Sequence, residues 1–122
     1  YFTRQKQLYA KELATAVVTK QLPLKKFSSM ADEEVRTHLT SIKGIGNWTT
    51  DVYLMHALQR TDLFPLGDIA LVNSLKETKQ LDPHISKEEM LAIAEPWRPY
   101  RTVAAMILWH AYIKKRNLKV EA

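Results

Sequence analysis

The sequence has no cysteine. Disulfides, cysteine-ligated zinc and iron–sulfur clusters are therefore excluded, and a reducing compartment, cytoplasmic or nuclear, is allowed. Metal-ligand spacing is also lacking: His38, His56, His84 and His110 are the 4 histidines, and they lie far apart. No apolar run approaches the roughly 18 residues of a membrane-spanning helix, so no membrane partner is expected. Convincing strand alternation, internal repeats and low-complexity runs are all missing. Glycine is scarce, with 3 in 122 residues. Acid is in the minority: 18 Lys and Arg face 13 Asp and Glu, giving a net charge of +5 and a pI near 9.5. That balance favours a polyanionic partner, nucleic acid before an anionic membrane surface.

What remains is ordinary for a globular chain, 46% hydrophobic and 25% charged, and long enough for one core and one domain, residues 1–122. The chain opens on Tyr1, so we treat it as a possible fragment of a longer protein. Helical patterns dominate and predict an all-α helical bundle. Leu8, Leu13, Ala14, Val17 and Val18 approach an i, i+4 stripe over residues 4–20, ended before Pro23. Asp32, Glu33 and Glu34 suit the first turn of a helix reaching Thr40, where the dipole favours acids. A third helix is expected from Asn47 to about Leu58, with Val52, Met55 and Ala57 as candidate core. A fourth runs from about Asp68 to Thr78. Ser86 and Glu89 form a capping box for the next. "EPWRPY" breaks that helix, and a long apolar one follows from Arg101 to about Lys115. The basic run 114–119 reads as its solvated end.

Two of the three glycines sit one residue apart, in "SIKGIGNWTT", residues 41–50. The pattern is helix, tight turn, helix, over about 33–58. Gly44 can adopt φ > 0 where a side chain costs energy. Gly46 lacks a Cβ, so another chain can approach its backbone. The helix that follows begins with unpaired N–H groups and a positive dipole end, suited to a phosphate. Ile45 would anchor the turn. A dinucleotide fingerprint fails, because Thr49 holds its third glycine position and no strand precedes it. An ordinary helix–helix corner stays open as an alternative. The third glycine, Gly67, is followed by Asp68 at the head of an apolar helix. Asp there is commonly an N-cap. It can also be a carboxylate held at the mouth of a cleft, and the two readings are compatible.

Three segments in order, "LTSIKGIGNWTTDVYLMHAL", "DLFPLGD" and "WRPYRTVAAMILW", resemble the helix–hairpin–helix DNA glycosylase superfamily. The last is most similar to its alkylpurine (3-methyladenine type II) branch. The likeness covers roughly Arg4 to Tyr112. It implies a base-excision enzyme acting on double-stranded DNA with a damaged base, as a monomer in the cytoplasm or nucleus. It implies that Lys43, Gly44, Ile45, Gly46, Asn47 and Thr49 meet the DNA backbone, and that the carbonyls of Thr40, Ile42 and Ile45 match a monovalent-cation site. Asp68 matches the catalytic aspartate. Trp48 and Trp109 match aromatic positions of the base pocket. Tyr53 could line that pocket or fill the core. Members that also cut the backbone carry a lysine where Trp48 stands, so a monofunctional hydrolase is expected, with no cofactor beyond the cation. Complete proteins of this type also carry helices ahead of the point where this chain starts, which close one wall of the cleft. Trp97 and Arg101 read as structural. A non-catalytic hairpin module and a purely structural helical domain are the competing functions.

Overall fold

The computed structural model describes residues 3–117, and all the regular structure among them is helical. The chain divides into two compact units, Tyr1–Gln59 and Arg60–Ala122. The sequence alone reads as one domain.

The first unit holds α1 (Arg4–Val18), a 3-10 segment (Leu24–Ser29), α2 (Asp32–Thr40) and α3 (Asn47–His56). Thr3 caps α1, its Oγ1 accepting from the Lys6 N–H at 3.1 Å. The helix stops before the predicted residue 20, because Lys20 turns left-handed (φ 64°). Its apolar stripe does not face the core. Ala16 is its buried residue, while Leu8, Leu13 and Val17 are exposed and Val18 is 80% exposed. The 3-10 segment has no counterpart in the sequence reading. It places Phe27 fully inside, edge-on to Tyr53 at 6.2 Å and near His38 at 5.9 Å. Leu22, Val35, Leu39, Ile42, Leu54 and Met55 are buried with it, each worth about 2 kcal/mol of burial. Of the residues expected in the α3 core, Met55 is buried, Val52 is half-buried and Ala57 is exposed. Thr50 and Leu54 take the inner positions instead.

The second unit holds α4 (Ile69–Lys79), α5 (Lys87–Ala94), a 3-10 turn (Glu95–Trp97) and α6 (Arg101–Lys115). The capping box at Ser86 and Glu89 forms, and the Arg98–Pro99 peptide is cis. Helices α4 and α6 pack along their lengths through Leu71, Leu75, Ala105 and Leu108. Buried in that seam, Ser74 Oγ donates to the Leu108 carbonyl at 2.6 Å and fixes the register. Trp97 packs on Phe64 at 5.8 Å between ring centres, as its structural reading expects.

Thr102, 4% exposed, ties the loop before α4 to the start of α6. Its N–H donates to the Thr61 carbonyl (2.9 Å) and its hydroxyl to the Arg60 carbonyl (2.8 Å), while the Leu63 N–H donates to that hydroxyl (2.9 Å). Beside it Asp62 accepts from Arg101 Nε (2.8 Å) and Nη2 (3.2 Å), a pairing in keeping with the structural reading of Arg101. The Asp62 carboxyl is held below the usual carboxylate range by those hydrogen bonds from Arg101.

Candidate functional site

The hairpin of the first unit is built by its ends. Helix α2 stops at Ser41, and a turn closes with the Ile45 N–H donating to the Ile42 carbonyl at 3.1 Å. Gly44 has φ +95°, a conformation that side chains resist. It is also pressed against α1: a Cβ there would lie 2.5 Å from the Tyr9 ring. Gly46 is different. Its backbone is extended, and nothing lies within 4 Å of where its Cβ would stand. As the N-cap of α3 it offers no capping side chain to the first-turn N–H groups.

An ionic brace holds the two helices of the hairpin. The Arg36 guanidinium on α2 reaches Asp51 on α3 and donates to the Asn47 side-chain oxygen at 3.3 Å. Thr50, fully buried, donates its hydroxyl to the Gly46 carbonyl at 2.9 Å. The sequence reading passes over Arg36, Asp51 and Thr50. The pairing spans 15 residues, beyond any local pattern, although a basic residue in α2 and an acid in α3 were visible.

The expected binding residues separate onto two faces of the hairpin. Trp48 stands on the first turn of α3, 51% exposed. Tyr53 follows five residues later, about 140° round the helix. It lines an apolar cavity of about 250 Å³ with Ile45, Thr49 and Leu39. Ile42, rather than Ile45, is the turn residue sunk in the core, at 5% exposure. Lys43 is exposed and borders a cleft of about 470 Å³ with Ser41, Ile42, Lys11 and Thr15 of α1, and Gln21 just beyond that helix. The carbonyls of Thr40, Ile42 and Ile45 are hard oxygen donors of the kind that suits an alkali cation. Ile42 contributes a carbonyl that already accepts one hydrogen bond. Among the described residues no group of three His, Asp or Glu side chains could hold a metal ion. No helix there is long and apolar enough to cross a membrane.

In the second unit Asp68 is the N-cap of α4. Its Oδ1 accepts from the Leu71 N–H at 3.0 Å and from the Trp109 indole Nε1–H at 3.2 Å. The Asp68 N–H itself donates to the Pro65 carbonyl at 3.0 Å, closing the turn that delivers the carboxylate. The structure therefore brings Asp68 and Trp109 together across 41 residues of sequence. Both are part-buried. A fixed carboxylate beside an indole can stabilise developing positive charge and orient a water.

No family profile matches the chain. Individual proteins do. Over 110 residues it is 38% identical to a Bacillus subtilis protein provisionally named DNA-3-methyladenine glycosylase YfjP, across 90% of this chain and 38% of the relative. Over 109 residues it is 36% identical to the alkylbase DNA glycosidase-like protein mag2 of Schizosaccharomyces pombe, across 88% of this chain and 51% of the relative. The solved structure of Schizosaccharomyces pombe 3-methyladenine DNA glycosylase Mag1, in complex with abasic DNA, matches with a TM-score of 0.80 at 32% identity. That match covers 88% of this chain and 53% of Mag1. The chain thus spans about half the length, or less, of the proteins it matches. Its homologues are DNA-3-methyladenine glycosylases, and it corresponds to a part of them, with the all-helical helix–hairpin–helix glycosylase fold.

Proposed function

We propose that the protein to which this chain belongs is a monofunctional base-excision-repair DNA glycosylase that removes alkylated purines of the 3-methyladenine type from duplex DNA. The observation that carries this reading is the Asp68 carboxylate, set at the head of α4 and hydrogen-bonded to Trp109. The names of the relatives support it.

The chemistry follows from the substrate. An alkylated purine is cationic, so it departs neutral when the bond from C1′ to the base nitrogen breaks. Positive charge passes to the sugar, and a carboxylate near C1′ stabilises that oxocarbenium-like state. Water forms the new C1′–O bond and gives its proton to Asp68 or to solvent. No strong general acid is needed. The base must first leave the stack, which costs a few kcal/mol and least for damaged pairs. An indole face, that of Trp48 or of Trp109, attracts a cationic base by stacking and cation–π interaction. Trp48 carries no amine, so a Schiff base to the sugar cannot form there.

The hairpin serves the other half of the task. The Ile45 N–H is already spent on the Ile42 carbonyl, so Ile45 shapes the turn instead. Gly44, Gly46 and Asn47 present backbone amides to a DNA phosphate, with Lys43 and Thr49 beside them. Such contacts fix register without reading sequence. An alkali cation on the carbonyls of Thr40, Ile42 and Ile45 would add positive charge to the same turn. The protein acts as a monomer in a DNA-bearing compartment, cytoplasm or nucleus. The test is incubation of the complete protein with methylated duplex DNA. Released 3-methyladenine or 7-methylguanine and abasic sites are expected. Salt-sensitive binding that never yields abasic sites would leave a non-catalytic hairpin module.

A further inference from the structure

We infer that Trp109 is the positioning residue of Asp68, acting through its indole N–H rather than through its ring face alone. This rests on the reading of Asp68 as the reacting carboxylate. Of phenylalanine, tyrosine and tryptophan, only tryptophan carries an N–H in the ring plane. A phenylalanine could wall a base pocket equally well but could not donate. Here the donor is used: the indole edge meets Asp68 Oδ1 at 3.2 Å. The Leu71 N–H reaches the same oxygen at 3.0 Å. Two donors on one oxygen fix the plane of the carboxylate and decide which oxygen each of them faces. Hydrogen bonds to an ionised acceptor are also the stronger kind.

The surrounding packing explains why the indole arrives there. Thr102, Ala105 and Leu108 are the buried residues of α6, spaced at three-residue intervals along the face turned to α4 and its loop. Trp109, seven residues after Thr102, continues that face. Thr102 ties down the start of the loop that delivers Asp68. Ser74 Oγ locks α4 to the Leu108 carbonyl, the residue immediately before Trp109. One helix therefore secures the Asp68 loop at its beginning, through Thr102, and at its end, through Trp109. The intervening seam is closed by a buried hydrogen bond, so neither helix can slide without breaking a contact.

The experiment has a spectroscopic arm and a kinetic arm. In 1H–15N spectra of the complete protein, one indole N–H resonance should move on Asp68→Ala, and the same resonance should vanish on Trp109→Phe. Indole resonances unmoved by Asp68→Ala would overturn the contact. In the complete protein, Trp109→Phe keeps a ring and removes the donor. The single-turnover excision rate should fall about 10- to 100-fold, the scale of a slightly misplaced reacting group, while affinity for methylated DNA stays within about threefold of wild type and thermal unfolding still shows a folded protein. An unchanged excision rate, or a loss confined to DNA affinity, would reduce Trp109 to a pocket wall and overturn the inference. Asp68→Asn in the same assay separates the two claims. If it is inactive while Trp109→Phe is not, the positioning role fails alone. If Asp68→Asn keeps full turnover, the glycosylase reading fails.

Discussion

The two units of this chain prepare the functional groups we propose for them in opposite ways. In the first, the groups are backbone amides on an exposed turn, and side chains only brace it: Arg36 to Asp51 and Asn47, Thr50 to Gly46. In the second, the group is one carboxylate, part-buried and held by named donors. A backbone grip tolerates any side chain that leaves the turn in shape. A carboxylate does not tolerate replacement at all. The first unit is therefore sensitive to geometry and the second to chemistry.

The two hairpin glycines break this comparison most sharply. Gly44→Ala places a Cβ at φ +95° and 2.5 Å from the Tyr9 ring. The backbone conformation alone costs on the order of 1–3 kcal/mol, so thermal or denaturant unfolding should show a large loss of stability and DNA affinity should fall with it. Gly46→Ala meets nothing within 4 Å. Its stability should stay close to wild type, and it should weaken DNA binding alone. Equal destabilisation by both would show that the turn is not held as described.

A smaller effect is expected at the loop that carries Asp68. The Asp62 carboxyl is depressed by its hydrogen bonds from Arg101. A depressed carboxyl contributes stability that is fully present above its unfolded value of about 4 and is lost as pH falls through the folded value. Unfolding titrations from pH 7 downward should therefore show this contribution disappearing only below about pH 4. Asp62→Asn should cost about 1 kcal/mol at neutral pH and flatten that part of the profile. The same loss at every pH would mean that the ion pair does not matter.

Smallest of all is Lys43→Ala. An exposed lysine at a phosphate should reduce the salt dependence of DNA binding by about one unit of slope and leave excision of bound substrate unchanged. A lost excision rate at saturating protein would move Lys43 from the grip to the chemistry.

Much of the fold was legible locally. The acids at 32–34, the Ser86–Glu89 box and the Gly44 turn each state their structure within a few residues, and α2 and α6 run as the pattern predicts. What was not legible depends on distance in sequence. The 3-10 segment at Leu24–Ser29 has no periodicity of its own and forms around one buried ring, Phe27. The α1 stripe promised a buried face, and the described residues leave it largely exposed. Periodicity reports that a face is apolar and is silent on what covers it. Asp68 was visible as a cap, and resemblance brought in Trp109 as a pocket wall. Their hydrogen bond spans 41 residues and follows from the packing of α4 on α6, which no local pattern encodes.

The central claim is that excision depends on the Asp68 carboxylate. Asn caps a helix about as well as Asp and keeps an oxygen for Leu71 and Trp109, so Asp68→Asn removes the charge with little else. Measured on methylated duplex DNA with the complete protein, base release should fall by about 100-fold or more, with affinity for DNA and the thermal midpoint nearly unchanged. Release at the wild-type rate by Asp68→Asn would contradict the account.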